Sequence, residues 1–287
     1  MTQAVFFPKE LGGVGSPFLL TIEEWRKFAD YLNTCVTAPT SLEQVRERIY
    51  RIMDGKYKES WDKLEQSNSF RSMIAEAVQI NIDVKNHSQF WDRNGHKGMI
   101  ALAQNIVHYA ELINTNYHLD LQKVIQESTQ GSLSSQTKQR FIQICEDLST
   151  RSQAFNKQAR NVVEELLAFY NEIKKCEARL EECKKWIPRI PIQNADQYSV
   201  VHNTFTYCVG PIIKIVIQKN AILPVLQKVD NIWDALGYDL NEIAQLIKEG
   251  ASNSDELIAA LELELSLASW KIIQKEAEAF YKNLNQL

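Results

Sequence analysis

The sequence predicts an all-α protein: an elongated, rod-like bundle of long antiparallel helices with a short hydrophobic head, or tongue, before the C-terminal helices. Three observations predict it. Glycine and proline number only 10 and 7 in 287 residues, and scarcity of the two strongest helix breakers favours long helices over many turns. Apolar residues recur at alternating steps of three and four along most of the chain, the spacing of one helical face. One such run, from Phe141 to Ile187, skips no step. The expected organisation is a single elongated helical domain over 1–287. It has an arm at 1–20, a long coiled-coil helix at 132–187, a head insert at 193–221 and returning helices at 222–287.

Residues 1–20 read as irregular. Gly12-Gly13-Val14-Gly15-Ser16-Pro17 lacks the lysine and the Ser/Thr with which a P-loop grips phosphate and magnesium, so it is a loop. Thr21-Ile22-Glu23-Glu24 has the form of a capping box. It predicts a short helix to about Asn33, with Trp25, Phe28 and Leu32 on one face. Pro39 stops it, and Thr40-Ser41-Leu42-Glu43 offers a second capping box. Leu42, Val45, Ile49 and Ile52 then predict an amphipathic helix that continues through Trp61 and Leu64 to about Ile82. The segment from His87 to Gly98, with Asn94 and Gly95, reads as a connection. Met99, Leu102, Ile106, Tyr109 and Ile113 mark a further helix that ends near Glu127, and 128–132 reads as a turn.

The next helix dominates the chain. Stepping by four and three from Phe141 gives Cys145, Leu148, Ser152, Phe155, Ala159, Val162, Leu166, Phe169, Ile173, Cys176, Leu180, Cys183 and Ile187. All but Ser152 are apolar, and between them lie Lys, Arg, Glu, Gln and Asn. A sustained 3.5-residue period is the signature of a coiled coil. A helix of about 46 residues spans roughly 70 Å at 1.5 Å per residue. A compact domain of this size is only roughly 40 Å across, which is the origin of the rod expectation. Pro188 and Pro191 end the helix.

Phe205–Ile217, FTYCVGPIIKIVI, is the most hydrophobic window. Its β-branched content around Gly210-Pro211 predicts a strand or hairpin, interrupted by Lys214. Two readings fit its composition. It is either a buried connection capping the bundle or a membrane-seeking tongue held against the bundle in water. An open hairpin cannot cross a bilayer, because its edges would be unpaired, so a tongue would convert to helix or be covered by neighbouring subunits. Two helices complete the chain, one with Ile222, Leu226, Val229, Trp233, Leu236, Leu240, Ile243 and Ile247, the other with Leu257, Leu261, Leu265, Ala268 and Ile272.

Composition and motifs point away from catalysis. The net charge of −4 gives no basic footprint for nucleic acid. Cys35, Cys145, Cys176, Cys183 and Cys208 form no CxxC pair and fall at apolar helical positions, where a thiol behaves as a small hydrophobe. That predicts a reducing compartment rather than a disulfide framework. His87, His96, His108, His118 and His202 complete no metal motif, and His108 reads as a half-buried helical histidine. GxSxG and GxGxxG are absent. The pairs Glu164-Glu165 and Glu181-Glu182 read as a solvated helix face. No catalytic residue, cofactor or metal is expected. Trp25, Trp61, Trp233 and Trp270 read as core, whereas Trp91, in a loop, and Trp186 are candidate exposed contact residues. The N-terminal residues lack the basic start and apolar core of a secretory signal, and no run of 18 apolar residues occurs.

A short hydrophobic insert between two very long helices resembles the cytolysin A superfamily of α-pore-forming toxins, and within it the xenorhabdolysin-type two-component subunits. Three stretches carry the resemblance. Leu20-Thr21-Ile22-Glu23-Glu24-Trp25 through Tyr31, then Ala38-Pro39-Thr40, looks like their opening helix and its exit. Val209-Gly210-Pro211-Ile212-Ile213 looks like the start of their head. Ile222-Leu223-Pro224-Val225-Leu226-Gln227 through Leu236, with Trp270 and Tyr281, looks like their returning helices. The resemblance implies a protein made in a bacterial cytoplasm without a signal peptide and then released. It would meet a target cell membrane, with a second toxin subunit as partner, and assemble there as a homo- or hetero-oligomer. Some insecticidal proteins share this architecture, which makes an insect gut membrane a conceivable target. Tyr207, Val209, Ile212, Ile213, Ile215 and Ile217 are the membrane-contacting set it implies, with Gly210 and Pro211 setting the turn. The head departs from the family pattern in being short and carrying Lys214, which implies action with a partner or membrane binding without spanning. Two rivals stand beside this reading. One is a non-enzymatic coiled-coil scaffold dimerising through the Phe141–Ile187 seam. The other is a helical enzyme with a concave pocket.

Overall fold

The computed structural model describes residues 6, 22–55, 57–209, 216–249, 255, 258 and 261–285. Thr21 and the rest of the arm, and the head's centre at 210–215, lie outside the described residues. The protein is all-α, with no strand among the described residues. In chain order the helices are α1 (Ile22–Val36), α2 (Leu42–Ile52), α3 (Lys58–Glu65), α4 (Asn68–Trp91), α5 (Lys97–Glu111), α6 (His118–Thr129), α7 (Ser135–Lys184), α8 (Ala195–Asn203), α9 (Val216–Lys248) and α10 (Leu263–Leu284). Among the described residues three π-turns lie between them: Asp92–His96, Leu112–Asn116 and Thr204–Val209. The chain packs as two compact units, one of residues 1–23, 96–164 and 222–287, the other of residues 24–95 and 165–221. Both draw on α7.

The seam of α7 is the core of each unit. Every seam residue from Phe141 to Cys183 is buried except Phe155, which is half-buried, as is Ile187 beyond the helix end. In the first unit α5, α9 and α10 cover it. Tyr109 on α5 stacks against Trp233 on α9 and Trp270 on α10, each with ring centroids 5.0 Å away. Phe155 of α7 closes the cluster at 5.3 Å from Trp233. Edge-to-face pairs of this kind add to simple burial. The polar member of the seam is explained here. Ser152 is fully buried and its Oγ lies 3.0 Å from the Tyr109 hydroxyl, which also donates to the Leu148 carbonyl at 3.2 Å. Beside it α9 comes close at Gly237, where an added Cβ would stand 3.3 Å from the Ser152 Cβ. Ser149 Oγ donates to the Gly237 carbonyl at 2.7 Å.

In the second unit α1 and α4 cover the seam. Phe28, Trp91 and Phe169 form a three-ring cluster with centroids 5.8, 6.3 and 6.0 Å apart. Arg179 on α7 donates to Glu76 and Asp83 on α4 at 2.7 and 2.6 Å. These two carboxylates, one α4 turn to either side of Ile80, fix the antiparallel register of α4 on α7.

Several elements differ from the sequence expectation. The expected connection at 87–98 is helical: α4 runs into a π-turn and on into α5. Gly95 is there for packing, since a Cβ would fall 2.2 Å from the Trp91 ring. Trp91 is accordingly a buried core residue and no exposed contact, and Trp186 is half-buried. The helix expected over 42–82 is three helices, broken at Asp54-Gly55, both with positive φ, and again at Gln66-Ser67. The N-cap of α2 is Ser41 rather than Thr40. Its Oγ accepts from the Gln44 N–H at 3.1 Å, and Gln44 Oε1 accepts from the Thr40 N–H at 2.7 Å. His108 is exposed. In α10 the expected stripe Leu265, Ala268 and Ile272 faces solvent, while Leu263, Leu267, Trp270, Ile273, Ala277 and Phe280 are buried. That helix is apolar on two sides, and the buried side carries the longer run at helical spacing.

Ser152→Leu completes the apolar seam on paper. The contact with Gly237 and the loss of the Tyr109 partner make it destabilising, by about 1–3 kcal/mol. Urea unfolding followed by circular dichroism checks this, and an unchanged or raised midpoint would contradict the close α7–α9 approach.

Candidate functional site

The head is entered through α8. Asn194 caps it by accepting from the Gln197 N–H at 2.9 Å, while Gln197 Oε1 accepts from the Gln193 N–H at 2.7 Å. This reciprocal arrangement satisfies donors that a helix N-terminus otherwise leaves open. The third π-turn, Thr204–Val209, continues α8 directly. Thr204 Oγ1 donates back to the Val200 carbonyl at 2.7 Å, a bond that competes with the helix ladder and locally bends it.

The strand or hairpin expected over 205–217 is therefore corrected at both edges. Phe205–Val209 is a helical turn, and Val216-Ile217 is the first turn of α9. The helical signal was present in the sequence. Gln197, Val200, Val201, Thr204, Phe205 and Cys208 are the buried positions, spaced by three and four. Their β-branched members satisfy helix and strand alike, so composition outweighed period in the sequence-based expectation.

The inner face of α8 and the π-turn packs on α2 and α3. The outer face is free. Tyr198 and Tyr207 are 57% and 46% exposed, His202 and Thr206 are exposed, and the Tyr198 ring stacks on His202 at 6.1 Å. Of the membrane-contacting set, Tyr207 and Val209 share the π-turn and Ile217 lies in α9. Ile212, Ile213 and Ile215, with the turn residues Gly210 and Pro211, lie outside the described residues.

Asn81 is a site residue that sequence reasoning missed. It sits mid-way along α4, fully buried. Its Nδ2 donates to the carbonyls of Pro39 at 2.8 Å and Cys208 at 3.0 Å. Its Oδ1 is buried without a partner, a condition that costs about 1–3 kcal/mol. The available signal was an asparagine within the apolar stripe of Ile74, Ala77, Ile80 and Val84.

The remaining chemistry is structural. No cluster of three His, Cys, Asp or Glu suited to a metal occurs among the described residues. Among the same residues no helix is long and apolar enough to cross a membrane. His87 lies 3.8 Å from Glu172 across α4 and α7, and His96 Nε2 is 3.3 Å from the Leu284 carbonyl at the end of α10. No protein-family model matches the chain, and no curated protein matches it.

All five cysteines are buried. Burial pushes the Cys176, Cys183 and Cys208 thiols up to about 11, and raises Cys35 and Cys145 as well. Raised values keep them protonated at pH 8, and the thiol is the unreactive form. A disulfide reagent at pH 8 should label the native chain at least about tenfold more slowly than the urea-unfolded chain. Fast labelling of Cys208 in the native chain would contradict the closed π-turn.

Proposed function

We propose that this chain is a component of an α-helical pore-forming toxin, which binds a target membrane through the head and assembles there with further copies or a second subunit. The observation that supports it most is the helical backbone on both sides of the apolar window. Helix satisfies its own backbone groups and is one of the two structures a bilayer core accepts. The α8–π-turn and α9 segments thus present no unpaired sheet edge at either flank of the window. The exposed Tyr207 and Tyr198 add amphipathic rings of the kind that settle at membrane–water interfaces. Resemblance to the cytolysin A superfamily in the three stretches quoted above supports the same reading. Lys214 within a short window favours a subunit that works with a partner.

The scaffold alternative loses its most direct form. Its dimer seam on α7 is already buried by the chain's own helices, so pairing through it would require opening both units. The enzyme alternative would use a cavity such as the one of about 480 Å³ in the first unit, lined by residues that include Ser128, Thr129, Ile258, Glu262, Glu264 and Leu265.

Dye release from liposomes, with and without extract of the source organism, tests the proposal. Release accompanied by ring-shaped particles in the lipid fraction is expected, and dependence on extract would identify a missing subunit. Ile213→Asp should abolish release, since a carboxylate at bilayer depth costs about 3 kcal/mol. No release and no lipid binding across several lipid mixtures and pH values, insect-derived lipids included, would sink the proposal.

A further inference from the structure

Three segments of the second unit meet at a single side-chain amide. Pro39 lies in the α1–α2 connection, Asn81 at the centre of α4, and Cys208 at the penultimate position of the third π-turn. The last carbonyls of a helix find no partner within it, and Cys208 is in the last turn of Thr204–Val209. Asn81 therefore caps the π-turn from outside, using a donor on another helix. The same nitrogen holds the Pro39 carbonyl, so neither contact can be lost by displacing Asn81 without losing the other.

We infer that Asn81 is a latch that holds the Thr204–Val209 turn closed against α2 and α4 and couples its opening to the α1–α2 connection. The geometry makes the closed state specific, because an amide donor serving two carbonyls accepts only one placement of the turn. It also makes the latch releasable. The Asn81 Oδ1 has no partner in the closed state, and water entering on opening would supply one, which lowers the cost of opening relative to a fully paired contact. Around the latch lie buried apolar residues, Phe205 of the turn and Val45 and Ile49 of α2, the helix it packs on, and apolar contact is non-directional. They hold the turn to the bundle without fixing its register. Opening would release the turn that carries Tyr207 and adjoins the apolar window. The functional meaning of the latch rests on the reading of that window as a membrane-contacting head.

Hydrogen exchange of the full chain, followed by mass spectrometry, tests it in two arms. In the unmodified protein, amides of Thr37-Ala38 and of 205–208 should open together, with rates within about threefold. Rates differing by more than about tenfold would overturn the latch, and this arm decides even where a variant fails to fold. In the second arm, Asn81→Ala and Asn81→Asp each remove the donor. Both should raise exchange in both segments by at least about tenfold while α5 and α10 stay unchanged. Unchanged exchange at 205–208 in a folded variant, or a rise spread evenly over residues 24–95 and 165–221, would show an ordinary core asparagine and end the inference. Dye release is read on the same variants. Faster exchange with faster release supports latch and head together. Faster exchange with no lipid response from any form keeps the latch and removes the pore-forming reading.

Discussion

A fifty-residue helix with an apolar stripe along its whole length cannot stand alone in water, and most of this structure is the consequence. At 1.5 Å per residue α7 extends about 75 Å. Each large apolar side chain along the stripe gains about 1.5–3 kcal/mol when covered. The chain supplies the cover itself, with α5 and α9 in one unit and α1 and α4 in the other. The contact pairs show the directions. Asn105 meets Gln158 and Tyr117 meets Asp147, so α5 runs antiparallel to α7. Asn156 meets Asp230, and Lys248 meets Glu146, so α9 does too. α10 then lies antiparallel on α5, with Gln104 bonded to Tyr281 and Asn114 to Gln274.

Apolar burial is non-directional, so it explains why the helices gather but not how far each slides. Buried polar groups supply that information. The Ser152–Tyr109 contact pins α5, and Ser149 on the Gly237 carbonyl pins α9 one turn away. Asn156 bonds both the carbonyl and the carboxylate of Asp230, and Arg160 adds a second donor to that carboxylate at 3.0 Å. In the other unit Arg179 and Asn81 do the same for α4 and the third π-turn. A misplaced helix would leave the buried members of this set, Ser149, Ser152, Asn156 and Asn81, unpaired, which costs more than the bonds gain. The polar interruptions of the stripe are thus what select one arrangement among the many that would cover it.

This division of labour also separates what was legible in the sequence from what was not. The stripe of α7 was read in full, because a 3.5-residue period needs only one strand of sequence to see. So were the faces of α5 and of the described part of α9. Ser152 stood out as an exception without a reason, since its reason is Tyr109, forty-three residues earlier. Asn81 was passed over because its partners are 42 and 127 residues away. The π-turns were hidden for a different cause. An extra residue in a helix shifts the spacing exactly as a loop does, and at Asp92–His96 the glycine that suggested a loop serves the Trp91 ring. In α10 the exposed Leu265 and Ile272 keep helical spacing, but so does the longer buried run Leu263, Leu267, Trp270, Ile273, Ala277 and Phe280, which packs towards α5.

The head shows how the two readings of its composition divide between two faces of one segment. A cap on the bundle needs its apolar side chains covered, and Val200, Val201, Phe205 and Cys208 are covered. A surface meant for another environment needs amphipathic groups left free, and Tyr198, His202 and Tyr207 are free. Between Arg189 and Lys214 the only charged residue is Asp196, in a chain that is 24% charged overall. Water tolerates such a face, but nothing in water requires it, since charge on the outer positions would have cost the inner packing nothing. A lipid interface does penalise charge in proportion to depth. The sparing of charge on the segment that leads into the apolar window is therefore a constraint the folded bundle does not impose, and the proposed encounter with a membrane accounts for it.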